Sequence, residues 1–340
     1  MRERSRALRH AARVAAAFTA AFAIYAALLY ALYGVHPIEI LTSLGGVLAT
    51  SKSLERSIVR SLPVAFSALG LVVAFKMGYW NIGAEGQLLV GMLVGTACAV
   101  TLSNEVDSRA LALISLAAAA ASGGLWALLP AYLRARLEVN EVLSTLMMNY
   151  VAAAIFDYIV RGPLRDPRAY GFIRSPPIPA QARLEISDAL LACVALSALV
   201  LVLLELTRYG YEVKVVGASR TVAEASGIDH RSLLTWMATL SGALAGLGGF
   251  VVASTMLGVL MESSRVSPGY GYTAIIAAWL ANLHPALVLP ASLLLGVIYE
   301  AGAYIEILHK VPVATTMVFQ GVLLLALAVP GLPKRRTSGR

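Results

Sequence analysis

Apolar runs of transmembrane length recur along this chain, and that recurrence limits the fold more than any single motif. A helix rises 1.5 Å per residue, so about 20 apolar residues cover the roughly 30 Å of hydrocarbon in a bilayer. Such runs fall at Val14–Tyr33, Leu62–Met77, Trp80–Leu102, Ala110–Leu133, Val142–Val160 and Ile186–Leu206. They continue at Leu233–Thr255, Tyr272–Leu283, Pro285–Ile305 and Val311–Val329. The expected fold is all-α, a polytopic integral membrane protein of about ten transmembrane helices. Two runs, Leu62–Met77 and Tyr272–Leu283, are short, and the second barely suffices for half a crossing.

Composition excludes the soluble alternative. Of 340 residues, 59% are hydrophobic and 14% charged, against about a quarter charged in a soluble domain. A core of this length has no charged shell to cover it. The net charge of +8 does not point to nucleic acid, because the basic residues sit at the two ends and in the connections rather than on one face. In a membrane protein such residues report orientation. With the N-terminus inside and ten crossings, 16 of the 27 basic residues lie inside, at both termini and in the loops around Arg134, Arg208 and Arg231. Residues 1–13 then form a basic cytoplasmic N-terminus and residues 14–330 a single transmembrane domain with a cytoplasmic loop at 208–232. Residues 331–340 form a basic cytoplasmic tail. The first run follows a basic segment as in a signal peptide, but its 20 apolar residues exceed the usual signal core of about 7–15. An uncleaved crossing is expected.

Several chemistries are missing. Cys98 and Cys193 lie alone in apolar stretches, with no metal-ligand spacing and no disulfide framework. The sequence has no GxxxxGK[ST] phosphate loop, no HExxH and no GxSxG. No cofactor is implied; a membrane enzyme is possible, but none of these motifs supports one.

Four segments carry polar or small residues where lipid-facing positions are apolar. Asn81-Ile-Gly-Ala-Glu-Gly-Gln87 opens the third run, and Asn81, Glu85 and Gln87 there either line a translocation path or form a polar turn at the membrane interface. Gly83 and Gly86 permit close helix contact or a break in the helix. In Asn140–Tyr150, Thr145 and Asn149 share a helix face four residues apart and either line the path or bond a neighbouring helix. Ser241–Gly249 contains the pair Gly242 and Gly246, a helix-packing device. Ser267-Pro-Gly-Tyr-Gly-Tyr-Thr273 reads as an external turn leading into a re-entrant or broken helix.

The loop segment Gly217–Asp229 contains Thr221 and Glu224 at capping-box spacing and Gly227 as a helix stop. A helix of one or two turns fits between them. Its small side chains at Ala218, Ala223, Ala225 and Ser226 suit either a docking element or an ordinary capped loop.

Gly78–Gln87, Asn140–Tyr150, Gly217–Ile228 and Ser267–Ala274 occur in that order. The series resembles the permease subunits of ABC importers in the ribose and branched-chain amino-acid permease superfamily, and within it the nucleoside (simple-sugar) branch. The resemblance implies a prokaryotic plasma-membrane permease that forms the path for nucleosides while a separate ATP-binding cassette subunit hydrolyses ATP. It also implies a second, different permease and an extracellular substrate-binding protein, with lipid around the bundle. Under it, the loop becomes the coupling element through Gly217, Ser219, Thr221, Ala223, Glu224, Ala225 and Gly227, and Ala223→Trp is expected to uncouple ATPase from transport with folding intact. Asn81, Glu85, Gln87, Thr145 and Asn149 become the expected path residues. Trp80 departs from the series, standing where Phe is more usual. Trp279-Leu-Ala-Asn-Leu-His-Pro285 departs as well, replacing Leu-Leu-Gly and a basic residue. Simple sugars and branched-chain amino acids are the alternative solutes, and an ion-coupled secondary transporter is the alternative class.

Overall fold

The structure, a computed structural model, describes residues 2–312 and 314–328. The expected tail over 331–340 lies outside the described residues. Among the described residues there are fourteen α-helices and no strand. They are α1 (Arg2–Tyr33), α2 (Pro37–Ala49), α3 (Ser51–Lys76), α4 (Ala84–Thr101), α5 (Ser108–Leu137), α6 (Glu141–Arg161) and α7 (Ile186–Leu206). The rest are α8 (Arg208–Ala218), α9 (Arg220–Ala225), α10 (His230–Val252), α11 (Ser263–Val266), α12 (Tyr270–Leu280), α13 (Pro285–His309) and α14 (Ala314–Ala328).

Eight of these elements are long and apolar enough to cross a membrane: α1, α3, α4, α5, α6, α7, α10 with its terminal π turn, and α13. The chain is thus an all-α, multi-pass membrane protein. Every expected run contains a helix. α12 has only 11 residues and rises about 16 Å, half the hydrocarbon thickness. α2 was not expected, because Pro37 and the pair Gly45-Gly46 break up its apolar pattern. α3, in contrast, is longer than its apolar run. Its first turns carry Lys52, Glu55, Arg56 and Arg60, which hide the helix from a scan for apolar residues.

The chain divides into two compact units, Met1–Leu54 with Val297–Arg340 and Glu55–Gly296. In the first, α1 packs on α14 through Phe319, whose ring meets Tyr25 edge-on at 5.5 Å and Phe18 at 6.4 Å. His36 caps α2 in a reciprocal box with Glu39.

The second unit is built around α4, α5 and α10, which touch backbone to backbone. Gly91 meets Gly246, Gly123 lies against Gly242 and Gly246, and Gly249 rests on the Leu88 carbonyl. A Cβ at any of these positions would collide with main chain, so the pair Gly242 and Gly246 packs helices as the sequence indicates. α3 is buried on every side from Leu62 to Phe75, as expected of a helix that is apolar all round. α10 ends in a π turn, Ala253–Leu257, and Gly258 takes a left-handed conformation at φ 68°. The chain then folds back. Gly258 and Leu260 carbonyls accept from the Ile178 and Ser175 amides at 2.8 Å each, which ties the returning segment to the long loop after α6.

Candidate functional site

α3 stops because Gly78 adopts φ 79° and the Tyr79 amide turns back to the Ala74 carbonyl at 3.0 Å, a Schellman-type ending. Non-helical chain follows until α4 begins at Ala84. Gly83, the residue before α4, supplies no side-chain cap, so the free amides of the first turn need partners from elsewhere. Side chains supply two of them. Asn81 Oδ1 accepts from the Gly83 amide at 3.0 Å, and Asn149 Oδ1 accepts from the Gly86 amide at 2.8 Å. Thr145 Oγ1 accepts from the Ile82 amide at 3.1 Å, and Asn149 Nδ2 donates to the Ile82 carbonyl at 2.9 Å.

The Asn81 and Gln87 amides pair with each other, at 3.0 and 3.1 Å, and Asn81 Nδ2 also donates to Ser241 Oγ on α10 at 3.0 Å. Glu85 Oε2 accepts from the Gly271 amide at the start of α12 at 2.7 Å. Asn149 Nδ2 donates to Tyr272 Oη at 3.1 Å. Asn81, Glu85, Gln87, Thr145 and Asn149 therefore come together in one buried knot, exposed by 0, 7, 1, 0 and 3%. Their polar atoms are bonded to protein, largely to backbone where helices are broken.

Two rulers give the depth of the knot. Ser241 is the twelfth residue of α10, about 16 Å from that helix's start. Gly271 lies at the opposite end of α12 from Trp279, and Trp279 stacks on Phe75 at the end of α3 with ring centroids 6.1 Å apart. The first sets Asn81, bonded to Ser241, about 16 Å from the start of α10, and the second sets the junction of Glu85 and Gly271 a half-length helix, about 12 Å, from the stack of Phe75 and Trp279. The sequence had put Asn81–Gln87 and Ser267–Thr273 at opposite faces. The structure closes them on each other, because α12 is a half-length helix entered by a chain that has folded back. Gly269, at φ 86°, makes that entry.

Sequence reasoning missed Ser241, Gly271 and Tyr272 as partners of the knot. Each bond joins residues more than 100 positions apart, and no local pattern reports such a pairing.

At the other candidate region, α8 and α9 form the loop between α7 and α10. The short helix α9 exists as expected, but its cap is Ser219, whose Oγ accepts from the Val222 amide at 3.4 Å. Thr221 lies inside the helix, so the expected capping box with Glu224 does not form. Glu224 instead pairs with Arg220 at 3.1 Å and with His230 at 3.3 Å. Arg220 also reaches Glu138, before α6, at 3.1 Å. The bond to Glu224, then that to Glu138, holds the Arg220 guanidinium above its usual pKa. Gly227 ends α9 at φ 75°, as its residue type indicates.

Ala223 is a correction. It is fully buried, while Thr221, Val222, Ala225 and Ser226 are exposed. Gly217 packs on the Lys76 carbonyl so closely that a Cβ would collide. Lys76 and Lys214 both pair with Glu205, at 3.1 and 2.5 Å. The loop is thus seated directly against the end of α3, a few residues from the knot. No group of His, Cys, Asp and Glu that could hold a metal occurs among the described residues.

The family model for the branched-chain amino acid transport system permease component matches residues 53–328. A glucose ABC transporter permease protein of Haloferax volcanii is 32% identical over 90% of this chain and 82% of its own length. A guanosine ABC transporter permease protein of Bacillus subtilis is 31% identical over 78% of each chain. A nucleoside ABC transporter permease protein of Lactococcus lactis is 26% identical over 75% of this chain and 73% of its own.

Proposed function

The chain belongs to the family of branched-chain amino acid transport permease components, a transport component of an ABC system rather than an enzyme, and on that premise we propose that it forms the path of an ATP-driven nucleoside importer. It acts in a prokaryotic plasma membrane with both termini and the 208–232 loop in the cytoplasm. ATP is hydrolysed in a separate cassette subunit. A second, different permease completes the path, and an extracellular binding protein delivers the solute. Guanosine and nucleoside permeases among the relatives support the solute class. The glucose permease relative supports a simple sugar as the second reading.

The observation that carries the mechanism is the seat of Gly217 on the Lys76 carbonyl. A partner gripping α9 moves the end of α3, and α3 leads within five residues to Asn81. In this scheme Ser219 caps α9, Ala223 anchors it inward, and Gly227 stops it. Thr221 and Ala225 present its outer face to the ATPase, while Glu224 holds its orientation. Asn81, Glu85, Gln87, Thr145 and Asn149 form the wall of the path. They keep two broken backbones bonded at a depth where lipid offers no partners, so the wall can move as a unit.

Uptake into proteoliposomes tests the proposal. ATP-dependent guanosine uptake is expected only when this chain is combined with its ATPase, second permease and binding protein. Glucose uptake by the same mixture, with none of guanosine, transfers the solute to the sugar reading. Uptake by this chain alone, driven by an ion gradient, overturns the importer mechanism.

A further inference from the structure

The polar side chains of the knot are already occupied by protein, so a solute passing them must find its contacts on the surface alongside. That surface is aromatic. Phe75 ends α3, Trp80 lies in the turn after it, and Trp279 comes near the end of α12. Trp80 and Trp279 stack at 5.8 Å with 25° between their planes. Phe75 completes the cluster at 5.5 Å from Trp80 and 6.1 Å from Trp279. Phe75 is buried, Trp279 partly so, and Trp80 is 44% exposed.

Tyr272 is 38% exposed and precedes Trp279 by seven residues. That is two helical turns, so both project from one face of α12, roughly 10 Å apart along the axis. Its hydroxyl accepts from Asn149 Nδ2, which leaves its own proton to donate. A lone exposed Trp at the end of a helix commonly faces lipid headgroups. Here the indoles are stacked as a pair, and they adjoin the non-helical chain at 77–83.

We propose that Trp80, backed by Trp279 and Phe75, is a stacking platform for the planar base of a nucleoside, with the Tyr272 hydroxyl donating a hydrogen bond to the solute. The proposal rests on the nucleoside reading given above and adds the place and chemistry of contact. A flat base matches the exposed indole face, and every base has such a face, so the platform accepts purines and pyrimidines alike. A bare sugar has no π-system to stack.

The test uses the complete transporter in proteoliposomes, with guanosine as the probe and wild type, Trp80→Phe and Trp80→Leu compared. Loss of one base–aromatic stack predicts a fall in guanosine uptake of about tenfold in Trp80→Leu, while Trp80→Phe keeps at least half. In wild type, guanosine is expected to quench tryptophan fluorescence of the detergent-solubilised permease pair saturably, and ribose to leave it unchanged. Full uptake by Trp80→Leu, or equal loss in both variants, overturns the platform while leaving the nucleoside reading intact. Absence of saturable quenching in a wild type that imports guanosine also overturns it, whether or not the variants fold. A wild type that imports no nucleoside removes the solute reading itself, and the platform with it.

Discussion

The knot at 77–87 and the loop at 207–229 are both breaks between helices, yet they satisfy their backbones in opposite ways. At the knot the partners come from distant sequence: Asn149 and Thr145 on α6, Ser241 on α10 and Gly271 on α12. In the loop they are mostly local. Thr207 and Ser219 cap their own helices, and Glu224 pairs within α9 and with His230. A break bonded from afar cannot be altered without disturbing every helix that contributes. A break bonded to itself can shift as a body and can be gripped by a partner. The first suits a wall inside the bilayer and the second suits a handle outside it.

The largest effect expected from this contrast is at Asn149. Asn149→Ala leaves the Gly86 amide and the Ile82 carbonyl without their side-chain partner. Each orphaned buried group costs about 1–3 kcal/mol, so a loss of roughly 2–6 kcal/mol is expected, together with a cavity term. Thermal unfolding in detergent measures it. A variant that melts like wild type but fails to transport would make Asn149 a solute contact and break the comparison.

Next comes a pair of substitutions on α9. Ala223→Trp places an indole where the side chain is wholly buried. Overpacking of this kind costs about 1–3 kcal/mol, so the earlier expectation of intact folding does not apply to Ala223. Ala225→Trp adds the same bulk to the exposed face. Its melting temperature is expected within about 2 °C of wild type, since surface changes usually stay within about 0.5 kcal/mol. Uptake should nevertheless fall by about tenfold with ATPase activity retained, the scale of one interface anchor lost. Normal uptake in Ala225→Trp would show that this face is not the one gripped.

Much of this was legible in the sequence, and what was not has a common cause. Span-length apolar runs gave the helices, and Gly227, Gly242 and Gly246 declared a stop and a packing seam through local rules. Asn81, Glu85, Gln87, Thr145 and Asn149 stood out because they are polar inside apolar runs. Their role did not, because a polar side chain facing a path and one bonding a distant backbone look alike in sequence. Ser219 was missed as a cap in favour of Thr221 since both are good N-cap residues and only the helix start separates them. The charged first turns of α3 concealed the eleven residues 51–61 of the helix for a related reason. Apolar periodicity reports burial and says little about the backbone where a helix carries charge.

The smallest expected effect sharpens the contrast most. Glu224→Gln removes the charge that pairs with Arg220 and His230 on a half-exposed side chain. Pairs of this kind contribute about 0.2–1 kcal/mol and are screened beyond roughly 8 Å at physiological salt. The variant should therefore melt within about 1 kcal/mol of wild type, and the difference should shrink as salt is raised. Uptake should change little, because the amide oxygen of Gln can still accept from Arg220 and so keep the orientation of α9, while Gly217 still seats on Lys76. A loss that is large and indifferent to salt would show α9 held as tightly as the knot, and the handle would then be another part of the wall.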